Sequence, residues 1–490
     1  MSVFRFFCLI ASAAVLLLTS GCVVGPNFKQ PAPPQVPDYT PQHPTTTTAT
    51  PNVAGGEAQS FVEGHDIPGD WWTLFHSKSL NDLIERALKA NPDLKSAQAA
   101  LVVARENTLA QRGYYYPYVS AGFSATRGKS SPDISPVTYS GALNYSLYTP
   151  QVTVSFVPDV FGLNRRTVES LKAQQEQARY ALVATHITLS SNIAAAAIQE
   201  ASLRAQIDTT NLLIDIATRT LATLRSQYSK GYATELDIAA QEAQLAQVVA
   251  TLPPLQKQLE QQRDLLAVLA GGFPNQEMAE RFALASLQLP KELPLTLPSQ
   301  LVEQRPDVRQ AEENLHAASA LVGVARANRL PAFNLTADAG TMAVTLGHVF
   351  TAGFWDVAGG LTQPVFDGKT LLHRERAAKA AYTQAAEQYR STVLTAFQNV
   401  ADTLHAIRED ADALKAAVDA TKAAAVTLDL TKTQFDAGYA GYLSVLSAEQ
   451  TYQQALLNQV QAQSNRYSDT AALFQALGGG WWNRPDLPRS

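Results

Sequence analysis

The chain states one pattern twice, and any fold it adopts must hold both copies. Asn91-Pro92-Asp93-Leu94 corresponds to Arg305-Pro306-Asp307-Val308, and Pro92 to Pro117 covers the same 25 residues as Pro306 to Pro331. Further on, Gln227-Tyr228-Ser229-Lys230-Gly231-Tyr232-Ala233 corresponds to Gln434-Phe435-Asp436-Ala437-Gly438-Tyr439-Ala440, and Gly231 to Gly271 spans 40 residues, as does Gly438 to Gly478. Landmarks that agree to the residue and in the same order mark an internal duplication. The copies divide the chain into a first repeat at 66–272, a connector at 273–300, a second repeat at 301–480 and a tail at 481–490.

Each copy reads as helix, strand, strand, long helix, tip, long helix. The first helix of copy one is expected over Leu94 to Arg112. Tyr114 to Arg127 then alternates, with Val119, Ala121, Phe123 and Ala125 on one face and Tyr118, Ser120, Ser124 and Thr126 on the other. In the second copy Phe333, Leu335, Ala337 and Ala339 oppose Asn334, Thr336 and Asp338. A period of two predicts strands, and an apolar face backed by a polar one suits a wall between lipid and water. Partner strands are expected at about Val137 to Val157 and His348 to Gln363, with an exposed loop at Arg127 to Asp133. Tyr114, Tyr115, Tyr116 and Tyr118 are expected at the lower rim of that wall.

Asn164 to Lys230 and Gly368 to Ala437 contain no proline and little glycine. As helices each would run roughly 100 Å at 1.5 Å per residue. Their return partners start near Thr234 and Tyr442. Ile238, Leu245, Leu252, Leu259 and Leu266 recur every seventh position, with Val248, Leu255 and Leu269 between them, so a coiled-coil seam is expected. Pro253-Pro254 should kink or break that helix.

The first 21 residues read as an export signal, with Arg5 ahead of an apolar run from Phe6 to Leu18 that is too short to span a bilayer. Leu18-Thr19-Ser20-Gly21-Cys22 resembles the bacterial lipobox, with leucine one place earlier than usual. On that resemblance Cys22 carries the lipid, palmitate included, that holds the protein to a membrane. An ordinary signal peptide with a free Cys22 is the alternative. Val23, where an aspartate would resemble an inner-membrane retention signal, favours the outer membrane. Cys8 lies inside the signal, so no disulfide is expected in the mature chain. Residues 22–65 are Pro- and Thr-rich without apolar period and are expected to be a linker. After the signal no run of eighteen apolar residues occurs, so a membrane crossing is expected to use strands.

Four strands cannot close a membrane barrel, which needs about eight or more, and open edges are not tolerated in lipid. The chain must therefore share its barrel with copies of itself. Two chains would supply eight strands and three would supply twelve.

Taken together these residues resemble the outer membrane factor family, the TolC- and OprM-like channels, within its NodT-like lipoprotein branch. The carriers are Gly21-Cys22-Val23-Val24-Gly25-Pro26 with Phe28 and Pro31, Trp71-Trp72-Thr73-Leu74-Phe75 with Leu80, Leu83 and Ile84, the paired Asn-Pro-Asp and Arg-Pro-Asp landmarks, the two Gly-Tyr tips, and Leu477-Gly478-Gly479-Gly480-Trp481. The resemblance implies a mixed α and β, TolC-like fold: a homotrimer with a twelve-stranded β-barrel continued by a twelve-helix tunnel. It implies a periplasmic membrane-fusion adaptor and an inner-membrane pump of the resistance-nodulation-division (RND) class, exporting drugs or other small molecules. The hairpin tips, with Gly231, Tyr232, Gly438 and Tyr439, would contact the adaptor. Family members often carry aspartates just past the second tip that ring the closed mouth. Ser444 and Ser447 occupy those positions here, leaving Glu449, and Asp237 in the first copy, as the gate candidates.

No catalytic constellation is present in the sequence. The eight histidines are scattered without metal-ligand spacing, no Gly-x-Ser-x-Gly elbow occurs, and Gly368-Lys369-Thr370 lacks the leading glycine of a phosphate loop because position 363 is Gln363. Asp93 and Asp307 suit the first turns of helices. Neither an enzyme nor a non-covalent cofactor is expected, and a net charge of −5 gives no nucleic-acid signature. The competing expectations are a coiled-coil adaptor-type periplasmic lipoprotein, and the same fold serving protein secretion or metal efflux.

Overall fold

The structure is a computed structural model that describes residues 23–42, 45–129, 131, 144–276 and 278–487. The signal segment, Cys22, and Ser130, Pro132 and Asp133 of the expected loop lie outside the described residues. In chain order the elements are β1 (Ser60–Glu63), α1 (Lys78–Ala90), α2 (Pro92–Arg112), β2 (Tyr118–Lys129), β3 (Asn144–Phe156), α3 (Leu163–Ser229), α4 (Glu235–Leu269), β4 (Glu292–Leu295), α5 (Pro298–Gln304), α6 (Pro306–Ala327), β5 (Ala332–Thr341), β6 (Gly353–Thr362), α7 (Thr370–Asp436) and α8 (Tyr442–Ala476). Contacts divide them into two units that do not follow the repeats. One comprises Met1–Pro31, Ala100–Ala178 and Ala311–Tyr389; the other Ala32–Ala99, Arg179–Gln310 and Arg390–Ser490.

The first unit contains an antiparallel sheet of order β2-β3-β5-β6. Register partners share a face, so Ala121, Val152, Ala339 and Trp355 form one row and Val119, Val154, Ala337 and Val357 the next. Trp355 and Val357 on this apolar face are 78% and 72% exposed, so nothing among the described residues covers them. The opposite face carries Thr153, Gln151 and Asp338, with Gln151 Nε2 donating to Asp338 Oδ1 at 3.4 Å and the Thr153 hydroxyl donating to the same carboxylate. The alternation predicted from sequence therefore holds in both copies. The boundaries shift: Gly113–Tyr115 form a 3-10 turn ahead of Pro117, which delays β2 to Tyr118, and Leu346–His348 form another ahead of β6.

In the second unit Trp71, Trp72 and Phe75 are fully buried with Leu80, Leu83 and Ile84 of α1. Trp71 stacks on Phe474 of α8 at 5.3 Å. The expected linker is not free over its length. Ser60–Glu63 pairs in parallel with Glu292–Leu295 of the connector, and Thr46 bridges to Ser60. Helix α3 includes a stretch long and apolar enough to cross a membrane, although interspersed polar residues leave no unbroken apolar run in it. That stretch is 67% buried within the fold, and Val183, Ile187, Ile193 and Ile198 belong to the core.

The prolines of α4 do not break it: the helix runs on through Pro253 and Pro254. Both prolines face solvent, as do Val249 and Ala250, whose carbonyls lose their helical partners on the exposed side of the helix, where solvation makes the loss cheap. The seam residues all turn inward: Val248 and Leu266 are buried, Ile238, Leu245, Leu252, Leu255, Leu259 and Leu269 are half-buried, and Gln241 and Gln244 are buried beside them. Gln241 Nε2 donates to the Ala217 carbonyl at 2.9 Å and Gln450 Nε2 to Gln244 Oε1 at 2.9 Å. Amide groups that satisfy one another line this helix contact, so burial without desolvation loss is possible at glutamine.

Glycine explains why the landmark spacing repeats. Gly231, Gly271, Gly438 and Gly478 all have left-handed φ, between 79° and 98°. At each, the next residue's N–H reaches back to the carbonyl five residues earlier: Tyr232 to Gln227, Gly272 to Ala267, Tyr439 to Gln434 and Gly479 to Phe474. This Schellman pattern ends all four long helices in the same way. The residue before each landmark proline then ties on. Asn91 Nδ2 donates to the Leu269 carbonyl and Arg305 Nη1 to the Ala476 carbonyl, both at 3.0 Å. An added Cβ at Gly271 would lie 2.9 Å from the Ala90 carbonyl carbon, whereas at Gly231 it would meet nothing within 4 Å. Gly231→Ala should therefore lose only the left-handed backbone cost of about 1–2 kcal/mol. Gly271→Ala should lose clearly more. Chemical unfolding of the two variants checks this, and equal losses would contradict it.

Candidate functional site

The two hairpin tips are near copies. Past each left-handed glycine stand an exposed tyrosine and an exposed leucine: Tyr232 and Leu236 at 80% and 69% exposure, Tyr439 and Leu443 at 87% and 62%. The reversal costs little because glycine carries no Cβ penalty, and it leaves these four apolar side chains facing outward. The predicted tip residues Gly231, Tyr232, Gly438 and Tyr439 thus lie at matching, exposed positions.

The gate candidates part ways. Asp237 accepts from the Thr234 backbone N–H at 2.9 Å while its own N–H donates to Thr234 Oγ1 at 3.2 Å, a capping box that starts α4. Ser444 and Ser447 are exposed on the first turns of α8. Glu449 is only 8% exposed. It accepts from Thr220 Oγ1 of α3 at 3.1 Å and pairs with Lys432 Nζ of α7 at 3.0 Å. The first copy carries the same brace: Arg225 Nη2 lies 2.7 Å from Glu242 Oε1, each 207 positions before its counterpart. Only the second brace is shielded, with Glu242 nearly half exposed. Glu449 therefore fastens α8 to both long helices just past the tip.

One acidic pair escaped the sequence reading because its members stand 59 positions apart on different helices. Asp410 of α7 faces Asp469 of α8 beside Arg466, whose guanidinium is buried and committed to backbone carbonyls of Ile407 at 3.0 Å and Glu57 at 2.9 Å. Burial, then the hydrogen bond and charge of Asp469, push the Asp410 carboxyl up to about 7 against the smaller opposing pull of Arg466. Tyr114, Tyr116 and Tyr118 lie together in the first unit, lining a cavity of 1040 Å³ with Val157, Phe161 and Phe333. Tyr118 shares the polar face of the sheet.

The chain matches the family model described as outer membrane efflux protein over residues 83–272 and 297–479. It is 28% identical to the pyoverdine export outer membrane protein OpmQ of Pseudomonas putida, across 90% of this chain and 94% of that one. It is also 28% identical to the toluene efflux pump outer membrane protein TtgC, again of Pseudomonas putida, across 97% and 96%. Among solved structures, the outer-membrane channel OprN superposes with a TM-score of 0.83 at 26% identity, covering 94% of this chain and all of that one. VceC of Vibrio cholerae superposes with a TM-score of 0.76 at 27% identity over 85% of this chain. The chain belongs to the outer membrane efflux protein family and has the TolC-like channel fold. It is an outer-membrane efflux channel.

The acidic pair makes a pH prediction. The folded chain holds the Asp410 proton to about pH 7, whereas an unfolded aspartate releases it near pH 3.9. Folding therefore binds a proton in that window, and stability falls as pH climbs from about 4 to about 7. Asp410→Asn should raise the thermal midpoint at pH 8 and leave it unchanged at pH 4. A gain of the same size at both would contradict the assignment.

Proposed function

We infer that three copies of this chain close a twelve-stranded barrel in the outer membrane, continued by a twelve-helix tunnel in the periplasm. The observation that carries this reading is the four-stranded sheet, apolar on one face, whose outer strands β2 and β6 have no partner among the described residues. Such a sheet is stable in lipid only when neighbouring copies pair those edges. The tunnel wall is then built from the four long helices of each chain.

In this reading the duct is passive. An inner-membrane pump of the resistance-nodulation-division class and a periplasmic adaptor load it, and drugs or other small toxic molecules leave through it. The relatives named for toluene efflux and pyoverdine export support small-molecule cargo. The exposed Tyr232, Leu236, Tyr439 and Leu443 supply an apolar docking surface for the adaptor, framed by Gly231 and Gly438. Asp237, Ser444, Ser447 and Glu449 surround the mouth, with Glu449 acting through its brace to Lys432. Cys22 bears the lipid that anchors each chain.

Purified protein added to planar lipid bilayers tests the reading. Discrete conductance steps are expected. A chain that binds the bilayer without conducting would contradict a channel and match an adaptor-type lipoprotein instead.

A further inference from the structure

The segment that follows Cys22 is held in a manner its composition conceals. Within the first unit, the Val24 N–H donates to the Phe161 carbonyl at 3.2 Å, in the short link between β3 and α3. Arg166 of α3, only 3% exposed, reaches over the segment. Its Nε donates to the Val24 carbonyl at 3.1 Å, and its Nη2 to the Gly25 carbonyl at 3.4 Å and to Asn27 Oδ1 at 2.7 Å. Nη1 is fixed from behind by Glu169 Oε2 at 2.6 Å. Three of the guanidinium's hydrogen bonds thus go to one short stretch of chain, which a flexible leash would not require.

Two glycines let the backbones meet. Gly25 has φ of +100°, and a Cβ there would lie 2.4 Å from Gly323 Cα of α6. A Cβ on Gly323 would in turn lie 2.8 Å from Arg166 Cγ and 3.0 Å from the Val24 carbonyl oxygen. Phe28 then stacks on His316 of α6, with centroids 4.3 Å apart and planes 12° from parallel. The imidazole is itself positioned between Glu169 at 3.2 Å and Glu313 at 3.4 Å. Phe161, which accepts the Val24 hydrogen bond, packs 6.3 Å from Phe333 at the start of β5, on the row of the sheet's apolar face.

We propose that Val24–Phe28, Arg166, Gly323 and His316 form a clasp that delivers the acyl chains of Cys22 to outer-membrane lipid at one set place, the base of the sheet's apolar face. The partner is the bilayer itself, and the proposal rests on the reading of Cys22 as lipidated. The geometry limits the reach. Consecutive Cα atoms are 3.8 Å apart, so Cys22 lies within about 7.6 Å of the clasped Val24. A structureless leash of the same residues from Cys22 to β1 would let the anchor wander by roughly 35 Å. The lipid therefore sets the depth and rotation of each chain in the membrane, which a sheet awaiting neighbours at both edges needs before it can pair.

Hydrogen exchange on the full chain in lipid nanodiscs, with mass analysis of its N-terminal peptide, tests this. Peptide 23–31 should be protected at least tenfold relative to an unstructured reference, and Arg166→Ala should abolish that protection while leaving the acyl mass on Cys22 unchanged. Phe28→Ala, which removes only the stack on His316, should lower protection partway and serves if Arg166→Ala does not fold. An acylated chain whose 23–31 exchanges freely would overturn the clasp. A protected segment with an unacylated Cys22 would instead overturn the lipid reading and, with it, delivery to the bilayer.

Discussion

The outer edges of β2 and β6 carry backbone N–H and C=O groups with no partner among the described residues, on a sheet whose apolar face is open. In water such edges would be solvated. In lipid each unsatisfied group costs several kcal/mol, so a sheet of this kind is stable there only as part of a closed cylinder. The rest of the molecule accommodates that condition. The apolar rows through Trp355 and Val357 stay uncovered by the chain's own helices, and the polar row through Asp338 faces the other way. On the proposed reading, an assembly of copies is a requirement of the sheet itself rather than an addition to it.

Duplication supplies the remaining geometry. Four left-handed glycines end four long helices by one hydrogen-bond pattern, and two pre-proline side chains fasten the ends of α4 and α8. The braces Arg225–Glu242 and Lys432–Glu449 repeat 207 positions apart. The copies diverge where burial diverges: the second brace is shielded and the first is not. A carboxylate in a shielded pair is costly to strip of its partner, which gives Glu449 a holding role that its exposed counterpart lacks.

Much of this was legible in the sequence because glycine and proline punctuate it. The long helices were bounded to within two residues by Gly231, Gly271, Gly438 and Gly478, and strand parity followed from alternation alone. What escaped was long-range. The strand Ser60–Glu63 is four residues in a Pro- and Thr-rich stretch, and its partner stands more than two hundred positions away. The pairing of Asp410 with Asp469 and of Arg166 with Val24 depends on packing that no local period encodes. The leucine seam of α4 marks the inward face, but periodicity does not show that Gln241 and Gln244 share it, held there by their own hydrogen bonds.

The claim beneath all of this is that one chain cannot complete its own wall. Native mass measurement of the protein extracted from membranes into nanodiscs addresses it directly. The account predicts a particle containing three chains, with no stable single-chain species inserted in lipid. A monomer that stays inserted, with β2 and β6 unpaired, would contradict it.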